Sequence, residues 1–255
     1  MHSAAPLQVL GASDPDPVEV LRADMPSSVL LVCEHAGRNI PQSLNNLELD
    51  ADIRNSHRGW DIGAEDVARG LSDRLEATLV LQHYSRLVID SNRPPRSPES
   101  ILQDCDGRAV PGNCDLPAPA REARINDIFD PLDRAMVTAL ATPRRACFSI
   151  HSFTPSLNGQ DRPWHAGFLT RTAVSTAEAL MGSIAKQRPD LILAINQPYQ
   201  IDDDSDWFIP VHAEPRGLPH CLIEIRNDQL RDADGVAVWV DLLALAISDV
   251  MKDLP

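Results

Sequence analysis

No CxxC pair, no phosphate-binding glycine loop and no membrane-length apolar run occur in this chain. Each gap removes a class of function. The five cysteines, at 33, 105, 114, 147 and 221, are odd in number. Cys33, Cys147 and Cys221 lie inside apolar runs and are expected as buried thiols of a reduced, cytoplasmic protein. With neither GxGxxG nor GxxxxGK[ST], no nucleotide site is expected. Without a GxSxG elbow, nothing marks Ser152 or a cysteine as a nucleophile. The opening MHSAAPLQVLGASDPDP lacks a basic segment and a long apolar core, which argues against a signal peptide. No window approaches a membrane span. A net charge of -14 argues against nucleic acid or an anionic membrane surface as partner. An anionic substrate remains open, because a few arginines can reverse the field of one pocket. Internal repeats and low-complexity tracts are also missing.

What is present reads as one sizeable domain of 255 residues, 43% of them apolar. Residues 1–27, rich in Pro, Asp and Ser, read as a loosely ordered arm, and 28–255 as a single domain. The run VLLVC at 29–33 predicts a strand buried on both faces, ending on Glu34-His35 with Ala36-Gly37 as its exit turn. Asp61 to Glu76 has apolar residues at helical spacing. Further strands are expected at 78–82, 86–90, 147–150, 191–195 and 220–225, and helices at 172–186 and 236–251. Residues 92–112 read as a long loop and Asp202 to Asp206 as an acidic one. Over 121–140 a helical pattern meets Pro131, where Asp130-Pro131 either caps a new helix or kinks a continuous one. Alternating strands and helices imply an α/β fold, a three-layer α/β/α sandwich with a mixed, largely parallel sheet.

Four of the expected strands end in ionisable residues: Glu34-His35, Asp90, His151 and Glu224. Ligands of open α/β sheets gather at such carboxyl ends. Two histidines and a carboxylate form a common catalytic zinc set. His35 and His151 supply the imidazoles, and the carboxylate is Glu34, Asp61 or Asp90. Neighbouring side chains of a strand point to opposite faces, which disfavours Glu34 beside His35. Asp61, at a helix start, escapes that conflict, although helix capping is its competing role. Glu224 is the candidate general base. Arg86, Arg93, Arg96 and Arg226 cluster near the same loops, and Asn92-Arg93-Pro94-Pro95 forms a rigid, donor-rich turn suited to a carboxylate. For Arg96 a surface salt bridge is preferred. His57, His83, His165 and His212 read as spare imidazoles.

Six segments carry a resemblance: CEHAGRNIP at 33–41, HRGWDIGAEDVARGL at 57–71, YSRLVIDSNRPP at 84–95, IHSFTP at 150–155, NQPY at 196–199 and IEIRND at 223–228. The chain resembles the N-formylglutamate amidohydrolases, relatives of zinc carboxypeptidases and aspartoacylases with a phosphorylase/hydrolase-like sandwich. The resemblance implies His35 and His151 as ligands of one zinc ion, Glu224 as catalytic carboxylate, and Asn92-Arg93 as a grip for a substrate carboxylate. In those relatives a glutamate follows the first histidine by three positions. Arg38 stands there instead, so Asp61 is the expected third ligand. The implied activity is hydrolysis of the N-acyl bond of a small acidic amino acid such as N-formyl-L-glutamate, with a place in histidine degradation. Arg86 or Arg226 would assist Arg93, and Arg226 is counted with Glu224 in the catalytic set. Another N-acyl amino acid, a small peptide, or a non-catalytic sensor of acidic metabolites are the alternatives. A homo-oligomer is compatible with all of them.

Overall fold

The computed structural model describes residues 7–254. Its centre is a seven-stranded sheet of β1 (Val18–Leu21), β2 (Val29–Cys33), β3 (Thr78–Gln82), β4 (Ala146–Phe153), β5 (Ala166–Leu169), β6 (Leu193–Ile195) and β7 (His220–Arg226). The strand order is β1-β3-β2-β4-β7-β5-β6. Neighbours run parallel except β1 against β3 and β7 against β5. The expected mixed, largely parallel sheet is therefore observed.

Alternation along β2 shows how the layers form. Leu31 and Cys33 join the apolar cluster on one face, while Leu30 and Val32 join that on the other. The first face is covered by α1 (Ala64–Leu75), α4 (Val174–Gln187) and α5 (Ala233–Asp253), through residues such as Leu71, Leu180 and Ile247. The second is covered by α3 (Asp130–Ala141) and the π-helical turn Phe208–Ala213. Leu31 is fully buried, so Leu31→Ala would cost about 2–5 kcal/mol.

A third apolar cluster lies beyond the sheet's carboxyl edge and gathers Leu47, Tyr84, Leu87, Val88, Ile89, Ile101 and Phe129. This cluster explains one correction. Residues 86–90 are apolar because they are buried there, yet they form turns rather than a strand. Val88 N bonds to Ser85 O at 2.9 Å and Leu87 N to Ser85 Oγ at 3.2 Å.

Two further expectations change. Residues 1–6 of the supposed arm lie outside the described residues. The rest of it is ordered, since β1 pairs with β3 and Asp127 accepts bonds from the amides of Val9 and Leu10. Pro131 neither starts a capped helix nor breaks one. The helix α2 (Ala118–Arg124) runs through a π turn, Ile125–Phe129, into α3 with helical dihedrals throughout. That wider turn brings the chain to the proline, which has no N–H to offer.

Candidate metal and acyl-transfer site

The carboxyl ends of β2, β4 and β7 open into a cavity of about 400 Å³. His35 lies two residues past the end of β2, after Glu34. The exit turn needs Gly37, because a Cβ there would collide with the carbonyl group of His83. Asp61 is brought to His35 by a backbone bond from its N–H to the His35 carbonyl, 3.0 Å long. It does not start or cap the helix: α1 begins at Ala64, preceded by Gly63 at φ 81°. His151 and Glu224 lie side by side on β4 and β7, inside the strands rather than at their ends.

His35, Asp61 and His151 form a buried group whose ligand atoms lie within 4.8 Å of one another. Asp61 Oδ2 is 2.9 Å from His151 Nδ1 and 3.5 Å from His35 Nδ1. Such spacings suit a tetrahedral ion, whose ligands stand about 3.3 Å apart at ordinary Zn–N and Zn–O lengths. The outer nitrogens are anchored. His35 Nε2 donates to Asp90 Oδ1 at 2.6 Å, and His151 Nε2 lies 2.8 Å from Ser149 Oγ and 3.1 Å from Glu34 Oε2. Carboxylates in these outer positions orient metal-binding imidazoles. His35 Nδ1 is buried without a hydrogen-bond partner, a cost that a cation would remove. The residues present therefore fit a divalent ion. Asp90 and Glu34, the two alternatives for the third ligand, stand outside the group. Asp90 is occupied by Arg86 Nη2 at 2.7 Å and the Asn92 amide at 3.0 Å, and Glu34 Oε2 accepts from Ser149 Oγ at 2.6 Å.

The electrostatics separate these groups. Burial opposes charge on His151, but Glu34 and Asp61 hold its pKa well above the ordinary value. Burial likewise disfavours ionised Asp61 and Asp90, and their basic neighbours outweigh it and lower both. Glu224 is different. Burial pushes it up to about 7, and its Oε2 has no hydrogen-bond partner. It lines the cavity with His35, Asp61 and His151, so it is a carboxylate able to take up and release a proton near neutrality.

The remaining expected residues divide. Arg86 and Arg93 line the cavity. Arg86 reaches Asp61 at 3.4 Å and Asp90 at 2.7 Å, while Arg93 reaches Glu99 at 2.5 Å and Asp90 at 3.4 Å. Asn92 also lines it, but its amide is engaged elsewhere: Nδ2 donates to Asp206, and Oδ1 accepts from the amides of Trp207 and Phe208. It holds the 202–208 segment against the cavity. Arg226, expected in the catalytic set, stands apart from the cavity. Asp228 and the carbonyls of Arg162 and Pro163 take its guanidinium, and it does not line the cavity. Arg96 pairs with Glu122 on the surface. His57, expected to be spare, lines the cavity beside Asp106 at 3.2 Å. Tyr199 and Asp206 were missed as wall residues, although NQPY and DDDSD marked their segments.

A family model described as N-formylglutamate amidohydrolase matches residues 27–231. The chain belongs to the N-formylglutamate amidohydrolase family. An amidohydrolase-type function follows from that membership. Gene product Atu2144 from Agrobacterium tumefaciens is 35% identical, with 96% of this chain and 99% of its own covered and a TM-score of 0.90. The N-formylglutamate amidohydrolase from Ralstonia eutropha JMP134 is 15% identical, with 94% and 98% covered and a TM-score of 0.73. That second likeness is one of fold. No curated protein matches the chain. Among the described residues no helix is long and apolar enough to cross a membrane.

Proposed function

We propose that residues 28–255 act as one metallohydrolase that cleaves the N-acyl amide of a small acidic amino acid such as N-formyl-L-glutamate. The observation that carries this reading is the unpartnered, near-neutral Glu224 carboxylate in the same cavity as the His35–Asp61–His151 group. Those three residues would hold a zinc ion, which when bound supplies Lewis acidity to an acyl oxygen and acidifies a water molecule. Glu224 Oε2 takes a proton from the attacking water and delivers it to the leaving amine nitrogen. Arg93, with Arg86 beside it, receives a substrate carboxylate and fixes the amide against Glu224. Asn92 supports that grip by packing the 202–208 segment, without touching substrate. The five free thiols fit the cytoplasm.

A hydrolysis screen of N-acyl amino acids with zinc-loaded protein tests the reading. Release of formate and glutamate from N-formyl-L-glutamate, abolished by chelation and restored by zinc, is expected. Stoichiometric zinc with no turnover of any N-acyl acidic amino acid would contradict it.

A further inference from the structure

Among the described residues lining the cavity and its adjoining crevice, one arginine is left without an anion. Arg58 pairs with Asp106, Arg86 with Asp61 and Asp90, and Arg93 with Asp90 and Glu99. Arg162 has no carboxylate partner among the described residues, and its neighbour Asp161 is exposed. Its guanidinium lies 4.9 Å from the Tyr199 ring centroid and 5.9 Å from that of Phe153. Nη1 donates to Tyr199 Oη at 2.9 Å and reaches Thr154 Oγ1 at 3.5 Å. Phe153, Thr154 and Tyr199 all line the catalytic cavity, and Arg162 faces the adjoining crevice that shares Leu157 with it. Stacking fixes the plane of the fork and leaves Nε and Nη2 without partners, the arrangement that accepts a carboxylate edge-on.

We infer that Arg162 binds the second anionic group of the substrate, the side-chain carboxylate of an acidic N-acyl amino acid, while Arg86 and Arg93 take the first. This rests on the amidohydrolase reading above. It also gives Arg226 a role. Its Nη1 donates to the Arg162 and Pro163 carbonyls, each at 3.1 Å, while Asp228 holds its other edge. The Arg162 amide in turn donates to Pro155 O at 2.8 Å. Arg226 is thus a positioning residue, fixing the backbone from which Arg162 reaches Tyr199.

The test compares N-formyl-L-glutamate with N-formyl-L-glutamine, which keeps size and removes the charge. Turnover is followed in zinc-loaded enzyme, and binding by calorimetry in zinc-loaded Glu224→Gln protein. Arg162→Ala should raise KM for the acid by about tenfold or more with kcat held, and leave the amide within about twofold. Arg162→Lys should recover part of the loss, since charge returns without the fork. Arg226→Ala should give a smaller rise in KM, again confined to the acid. Equal losses on both compounds, or an unchanged acid KM, would overturn the assignment. If the protein turns over neither compound, the hydrolase reading fails, and binding decides Arg162 separately. An acid preference that disappears in Arg162→Ala supports it, and no acid preference in the Arg162-containing protein overturns it.

Discussion

The two walls of the cavity are built on opposite plans. Around His35, Asp61 and Arg86 the outer carboxylate is fully engaged, since Asp90 accepts from His35, Arg86 and the Asn92 amide, and His35 Nδ1 is left without a partner. Around Glu224 and Tyr199, charge stands unpaired: Glu224 Oε2 is buried with no donor, and Arg162, which bonds to Tyr199 from the adjoining crevice, has no carboxylate partner among the described residues. A buried polar group without a partner costs about 1–3 kcal/mol; His35 Nδ1 carries that cost where a cation would relieve it, and Glu224 Oε2 carries it where a proton would. The paired wall fixes geometry.

The difference predicts that substitutions on the two walls fail in different ways. The largest effect belongs to Glu224. Glu224→Gln keeps the shape, so turnover should fall on the order of a hundredfold or more while metal content stays unchanged. The same substitution sharpens the comparison in metal-free protein. Burial raises the folded-state pKa to about 7, so the folded form keeps a proton that the unfolded chain releases at lower pH. Stability should therefore fall as pH rises through the window between the ordinary glutamate value and about 7, by at most about 3–4 kcal/mol. Urea unfolding of metal-free Glu224→Gln should lack that slope, and an identical slope in both proteins would place the proton elsewhere.

On the paired wall, Asp61→Asn should weaken zinc binding by well over tenfold, read by competition with a chelating dye. Had Asp61 been a helix cap, asparagine would serve about as well and little would change. Asp90→Asn should have the smaller effect, a loss of zinc affinity on the order of tenfold, because it removes the anion orienting His35 and leaves the three inner residues in place. An effect larger than that of Asp61→Asn would exchange the two residues' positions in the account.

The residues that meet in the cavity were legible to the extent that they sit on regular strands. VLLVC, CFSI and HCLIEI are continuous apolar runs, and a parallel sheet brings their ends to one edge. Asp61 was legible by exclusion, from the opposite directions of adjacent side chains at Glu34 and His35. The sequence pattern fails where burial comes without regular backbone. RLVID is apolar because it packs under loops, and it turns where a strand was expected. The strand β1 escaped notice because VEVL is a short edge strand with Glu19 facing Arg69, and β5 because AGFL is four residues with a glycine. Arg226 shows the other limit: two residues beyond Glu224, its direction is set by Asp228 and by the 162–163 carbonyls, partners that spacing does not reveal.

In the proposed site His35 and His151 offer Nδ1 to one cation while Glu224 stands outside its ligand set. Metal analysis of purified, zinc-equilibrated protein addresses it most directly, with circular dichroism confirming the fold of each variant. About one zinc per chain is expected in the unsubstituted protein and in Glu224→Gln, and none in folded His35→Ala or His151→Ala. Full zinc retained by both histidine variants, or zinc lost on Glu224→Gln, would contradict it.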